Sequence, residues 1–275
     1  MFHKDFDQHV ATLDTVLQRL GDAGFMVAPA KCNLFRHEIP YLGHMLSGRG
    51  VGMNKEYVIK VKEALASIRT KSDAYRALGL AQFYSKFIRN FAEIASPLSE
   101  ILKKGIEEDL SNVEPAQMKL AQEAGLKLVE AFKTDQILKL PDYDKEFMLF
   151  TDASDTAIGS ALCQEHDGIV RPIAFWSRKL SATERNYSTT EREALSIVYF
   201  LEKYRYYLLG RKFALVTDHK PLMFILRNGT SNSKLARWAL RIQEYHFDVI
   251  HVKGEDNVVA DAMSRWPNEE NGLLE

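Results

Sequence analysis

Phe147-Met148-Leu149-Phe150-Thr151-Asp152 is a compact apolar run that closes on polar residues, which reads as a buried strand with a carboxylate at its end. Working outward, Ala157-Ile158-Gly159-Ser160-Ala161-Leu162 is a second strand with a small residue at alternate steps, and Arg171 to Trp176 is a third. From Glu191 to Leu208 the period becomes helical, with Ala194, Ile197, Val198, Leu201, Arg205 and Leu208 on one stripe. Phe213 to Thr217 is a fourth strand, Lys234 to Ile242 a helix, and Phe247 to Val252 a fifth strand. Asp256 or Asn257 then caps a final helix through Ser264. This order predicts an α/β fold, a mixed five-stranded sheet with flanking helices.

Upstream of Pro141 the texture differs, and a domain boundary is expected near Leu140. Val10, Leu13, Leu17 and Leu20 recur at helical spacing between Asp7 and Leu20, and Gly21 and Gly24 stop that helix. Phe25-Met26-Val27 and Tyr41-Leu42-Gly43-His44-Met45-Leu46 read as short strands, with a turn at Ser47-Gly48-Arg49-Gly50. Lys55 to Ile68 is an amphipathic helix, Ser72 caps another running through Phe87, and a third helical stretch covers Ala116 to Phe132.

With 46% hydrophobic and 27% charged residues in 275, the composition is that of a soluble globular protein with a sizeable core. No apolar run is long enough to span a bilayer, and no secretory or lipidation signal opens or closes the chain. An intracellular setting without a membrane partner is therefore expected. Cys32 and Cys163 lie far apart and in no metal-ligand pattern, so they read as buried free thiols. The net charge of −1 does not mark the whole chain as a nucleic-acid binder. It decides little, because acidic stretches such as Glu107-Glu108-Asp109 can offset basic surfaces elsewhere.

Four acidic residues sit at the ends or starts of these elements. Asp152 ends the first strand, Glu193 opens the long helix, Asp218 ends the fourth strand and Asp261 lies in the last helix. If the first and fourth strands are neighbours, Asp152 and Asp218 come together. Glu193 precedes Ile197 by one helical turn and so shares the core-facing stripe. An inward carboxylate is costly unless paired or bound to a cation. Four converging carboxylates make a hard oxygen site suited to Mg²⁺ or Mn²⁺. Two such ions, roughly 4 Å apart, can activate a water and stabilise the leaving oxygen of a phosphodiester. On physics alone the same residues also read as helix caps, turns and solvated charges.

Sequence motifs narrow the choice. Phe150-Thr151-Asp152-Ala153-Ser154, Phe175-Trp176-Ser177-Arg178-Lys179-Leu180 and the run from Glu184 to Leu195 resemble the ribonuclease H domain of gypsy-type LTR retrotransposon polyproteins. Thr217-Asp218-His219-Lys220-Pro221-Leu222 and the run from Asn257 to Arg265 complete the pattern in order. The resemblance implies a ribonuclease H-like fold in which Asp152, Glu193, Asp218 and Asp261 bind two Mg²⁺ (or Mn²⁺). Glu193 is chosen over Glu191 because its distance to Ile197 matches the family pattern, leaving Glu191 as a first-turn residue favoured by the helix dipole. His251 falls where many ribonucleases H carry an accessory histidine that helps product leave; it also reads as an ordinary strand-end residue continuing the alternation of Tyr245, Phe247 and Val249.

Residues 1–54 resemble the end of a reverse transcriptase palm, 55–105 its thumb and 106–140 its connection, ahead of the ribonuclease H-like 141–275. Leu42, Gly43 and His44 belong to a pair of strands resembling the primer-gripping hairpin. The family's polymerase carboxylates lie upstream of the matching segment and are not in this chain, so DNA synthesis by the chain alone is not expected. The thumb stretch Ser72 to Ala77 fits the family pattern poorly, and a tryptophan-proline step is missing near Ile68. Arg178, Lys179, Lys234, Arg237 and Arg241 are candidate phosphate contacts, with Trp238 packing against them. The expectation is endonucleolytic cleavage of the RNA strand of RNA–DNA hybrids, in the cytoplasm, the nucleus or a retroelement particle. The hybrid duplex and the rest of a Pol polyprotein are the expected partners. The alternative is a catalytically silent module that keeps the fold and grips a duplex or a protein.

Overall fold

A computed structural model describes residues 3, 5–103, 109–110, 113–132, 136–217 and 233–251. The first helix, α1 (Phe6–Asp22), is capped by Asp5, whose carboxylate accepts from Gln8 N at 2.8 Å. None of its residues is buried. A three-stranded antiparallel meander follows, β1 (Glu38–Tyr41), β2 (His44–Ser47) and β3 (Gly50–Met53). The expected single strand from Tyr41 to Leu46 is thus a hairpin. Tyr41 pairs with His44, and Leu42 and Gly43 both take positive φ, 48° and 79°, as a two-residue loop matched to the strand twist requires. Phe25-Met26-Val27 forms no strand; these side chains are exposed and pair with nothing in either sheet.

Helices dominate the next segment: α2 (Lys55–Ala66), α3 (Lys71–Phe83), α4 (Phe91–Ile94), α5 (Ser96–Glu100) and α6 (Pro115–Ala131). The cap of α3 is Thr70, not Ser72: its hydroxyl accepts from Asp73 N while the Asp73 carboxylate accepts from Thr70 N, a reciprocal box. That helix stops at Phe83, and a single 3-10 turn, Ser85–Phe87, carries the chain on.

The remaining elements are β4 (Phe147–Ala153), β5 (Ala157–His166), β6 (Ile169–Lys179), α7 (Ala182–Arg185), α8 (Thr189–Lys203), α9 (Arg205–Leu208), β7 (Lys212–Thr217), α10 (Ser233–Ile242) and β8 (His246–His251). They build a mixed five-stranded sheet in the order β6-β5-β4-β7-β8. Short turns make β4, β5 and β6 antiparallel, whereas the crossovers through α8 and α10 make β4, β7 and β8 parallel. The helix expected from Glu191 to Leu208 breaks at Tyr204. That ring is 3% exposed and its hydroxyl reaches Ser160 and the Ala174 carbonyl, so the chain turns there to seat it on the sheet.

Strand alternation gives this sheet two apolar faces, and each has a cover. Phe147, Leu149, Phe213 and Leu215 pack under α8 and α10. Phe150, Ala161, Phe175 and Val216 face the other way, into one cluster with Phe87, Phe91 and Leu98 of the N-terminal half. Polar ties reinforce that second contact: Ala92 N donates to Ser177 Oγ at 2.9 Å, and Lys139 N donates to the Pro172 carbonyl of β6 at 2.8 Å. Cys163 is buried in this cluster as expected, but Cys32 is only half-buried.

Candidate active site

Asp152 lies at the end of β4, exposed, in a ladder that pairs it with Gly159 of β5. On the other side of β4 the register with β7 runs from Phe147–Phe213 to Phe150–Val216, so the described strand ends of β4 and β7 lie together. Glu193 comes from the first turns of α8. Ser188 caps that helix, accepting from Glu191 N at 3.3 Å, while the Glu191 carboxylate accepts from Ser188 N at 3.0 Å and from Lys234 Nζ at 3.0 Å. Glu191 is therefore occupied in holding the helix start. Glu193, two residues on, is 5% exposed and shares its buried stripe with Ala194 and Ile197.

One turn along α8, Ser196 ties the two elements together: its hydroxyl donates to the Asp152 main-chain carbonyl at 3.2 Å. Sequence reasoning missed Ser196; its signal was a small hydroxyl three residues after Glu193 on an apolar stripe. Arg192, also missed, reaches Asp155 at 2.5 Å and fastens the turn after β4 to the same helix start. His251 ends β8, paired with Thr217 of β7, at this same end of the sheet. The structure thus brings Asp152, Glu193 and His251 to one end of the parallel strands. Asp218, Asp261 and the expected helix from Asp256 or Asn257 lie outside the described residues.

The donor chemistry suits a hard divalent cation: Asp152 and Glu193 offer carboxylate oxygens, and a carboxylate as buried as Glu193 needs a proton, a donor or a cation to offset its desolvation. Among the described residues, no three acidic, histidine or cysteine side chains form a metal-sized group.

The nominated cations are mostly engaged within the chain. Arg178 forms a fork on Glu184, 2.8 and 2.9 Å, and lies 4.5 Å from the Tyr199 ring centre. Lys179 Nζ donates to the Ser96 carbonyl at 2.9 Å and meets Glu100 at 3.5 Å, tying β6 to α5. Lys234 sits between Glu191 and the Tyr187 ring, and Arg241 pairs with Glu202. Arg237 is exposed, its Nε donating to the Ser233 carbonyl at 3.3 Å. Trp238 packs on Tyr187, and Trp176 is covered by Lys203. In the hairpin, Leu42 is 76% exposed at the tip, while His44 turns inward against Phe83, Tyr84 and Phe87. Tyr84 fixes the turn by donating to the Gly43 carbonyl at 2.5 Å.

A five-stranded sheet of this order, with carboxylates from β4 and α8 at one end, defines a ribonuclease H-like domain. Residues 142–245 match the model of the RNase H-like domain found in reverse transcriptase. Over 273 residues the chain is 39% identical to the retrovirus-related Pol polyprotein from transposon 297 of Drosophila melanogaster, covering 98% of this chain and 25% of that protein. It is 37% identical over 274 residues to the corresponding polyprotein from transposon gypsy of the same fly, covering 96% and 26%. A solved foamy viral protease-reverse transcriptase in complex with RNA/DNA hybrid shares the fold, with a TM-score of 0.75 at 19% identity over 100% of this chain and 36% of that one. Over nearly its whole length the chain is similar to one part of the Pol polyproteins of LTR retrotransposons such as gypsy, and it spans about a quarter of the length of the curated relatives it matches.

Proposed function

We propose that residues 141–275 form a metal-dependent endoribonuclease that cuts the RNA strand of RNA–DNA hybrids, leaving a 3′-hydroxyl and a 5′-phosphate. Residues 1–54, 55–105 and 106–140 act in this reading as the palm end, thumb and connection of a reverse transcriptase. The observation that carries it is the fastening of α8, with buried Glu193 in its opening turns, onto the strand end that bears Asp152. Asp152 and Glu193, with Asp218 and Asp261, would hold two Mg²⁺ or Mn²⁺ ions. Once bound, such ions make a water nucleophilic at neutral pH and stabilise the leaving oxygen. The chain's own part is to fix those carboxylates, and in this reading His251 would assist product departure. The related foamy viral enzyme, solved with an RNA/DNA hybrid, supports the choice of substrate.

The test is cleavage of an end-labelled RNA–DNA hybrid in Mg²⁺ by the wild type, Glu193→Gln and Asp218→Asn. Loss of about 100-fold or more in either variant, with folding intact, is expected, since even outer-shell changes at metal sites cost up to that much. Equal cleavage by all three rejects the site. Binding of the hybrid without cleavage by the wild type supports the silent module instead.

A further inference from the structure

Asp152, Gly159 and Ser177 occupy one rung across β4, β5 and β6, because Asp152 pairs with Gly159 and Gly159 with Ser177. Directly paired residues project to the same face of a sheet. Here it is the face closed by the N-terminal half, two residues beyond Phe150, Ala161 and Phe175 of the shared core. The glycine leaves a gap in the rung, and Asn90 fills it: a Cβ added at Gly159 would lie 2.5 Å from Asn90 Oδ1. The Ala92 N to Ser177 Oγ hydrogen bond pins the same segment two residues further on.

Asn90 is held in the left-handed region, φ 52° and ψ 29°, which asparagine tolerates better than most other side chains. Opposed Cβ positions on neighbouring strands are about 5 Å apart, so the amide over Gly159 sits one side chain's width from Asp152. Among the described residues no hydrogen bond engages that amide. An uncharged group with both a donor and an acceptor is a poor match for a phosphate, which favours guanidinium or ammonium. It is a good match for a hydroxyl, which also gives and takes.

We propose that Asn90, from the N-terminal half, is a substrate-contacting residue of the nuclease site whose amide bonds a 2′-hydroxyl of the RNA strand. The assignment rests on the nuclease reading above. It makes the N-terminal half a contributor to RNA recognition at the site as well as a cover for the sheet.

Asn90→Gly removes the amide while keeping a residue suited to the left-handed backbone. Gly159→Ala leaves Asn90 in place but forces its Oδ1 aside, and serves as the second variant should the first fold poorly. Binding is followed by fluorescence anisotropy in EDTA, so nothing is cut, with an RNA–DNA hybrid and an all-DNA duplex of the same sequence. Both variants should weaken the hybrid by about tenfold and the DNA duplex by less than about twofold. A scan of single 2′-deoxy substitutions should find one position that costs the wild type about tenfold and Asn90→Gly nothing. Unchanged hybrid affinity, or equal weakening of both duplexes, overturns the assignment. A wild type that shows this Asn90 dependence but never cleaves sinks the nuclease reading alone; one that cleaves the hybrid as fast as Asn90→Gly sinks Asn90 alone. Failure of the wild type to bind either duplex sinks both.

Discussion

The Ser196 hydroxyl and the Asp152 main-chain carbonyl are joined by a 3.2 Å hydrogen bond, made by a serine with no exposed surface. Asp152 contributes only backbone to this contact, so its carboxylate is not consumed in holding the helix. Removing the hydroxyl leaves a strand-end carbonyl without that donor and frees the opening turns of α8 to shift. Ser196→Ala should therefore lose about 1–2 kcal/mol of stability and roughly tenfold in hybrid cleavage. Urea unfolding and single-turnover cleavage check the two halves; wild-type values in both would show that the bond positions nothing.

Arg178 and Glu184 carry a second consequence. The guanidinium on Glu184 holds its carboxyl well down, to about 2, with Ser181 N–H donation adding to the effect. A carboxylate depressed in the folded state contributes stability that is whole above its unfolded value, near 4.5, and that disappears as pH falls toward 2. The stability gap between wild type and Glu184→Gln should be constant around neutral pH and close below about pH 4.5. Because the fork is filled, Arg178→Ala should destabilise the fold while leaving the salt slope of hybrid binding unchanged. A slope reduced by about one unit would instead put Arg178 on a phosphate.

The five strands were legible in the sequence as apolar or alternating runs and the long crossover helix as a clear stripe, although β5 (Ala157–His166) and β6 (Ile169–Lys179) run well past the stretches expected for them, 157–162 and 171–176. Phe147 to Asp152 and the stripe through Ala194, Ile197 and Leu201 needed no tertiary information. Errors arose where distant residues decide. Leu42 at positive φ is not a residue that announces a turn, so Tyr41 to Leu46 read by pattern as one strand, and only the family resemblance pointed to a hairpin there. Thr70 and Ser72 are both good caps, and only Asp73 bonding back to Thr70 chooses between them. Tyr204 breaks a helix that its periodicity would continue, because its hydroxyl has partners on the sheet. The candidate carboxylates could be named from the sequence by type, but the engagement of Lys179 with Ser96 and Glu100 depends on the packing of two segments about 80 positions apart. No local pattern encodes that.

His44 gives a pH dependence of its own. Burial among Phe83, Tyr84 and Phe87, with Lys86 nearby, holds its imidazole below the ordinary 6.5. The unfolded chain takes up a proton near that value while the folded chain resists it, so stability is fullest above it and falls as pH drops toward the folded value. His44→Phe keeps the aromatic packing and removes the titration. Denaturation midpoints at about pH 7.5 and 5.5 should show the wild type losing more than His44→Phe on acidification. Parallel curves would mean that the imidazole is not held neutral by its surroundings.

Cys163 reports on the contact between the sheet and the N-terminal half. Its thiol is 1% exposed among residues of both segments, and burial pushes it up to about 12, against a smaller opposing pull from Arg89. Near pH 8 almost none of it is thiolate, and the thiolate is the reactive form. Cys32, half-buried with its Sγ donating to the Ala28 carbonyl at 3.3 Å, lacks that protection. A disulfide reagent should therefore modify one thiol quickly in the native chain and the second only as the structure opens. In Cys32→Ser the single remaining thiol should react at a rate that rises with urea in step with unfolding, because the face that buries it must first separate from α4 and the helices around it. Rapid modification of native Cys32→Ser, at the pace of a free cysteine, would show that the N-terminal half does not close this face of the sheet in solution.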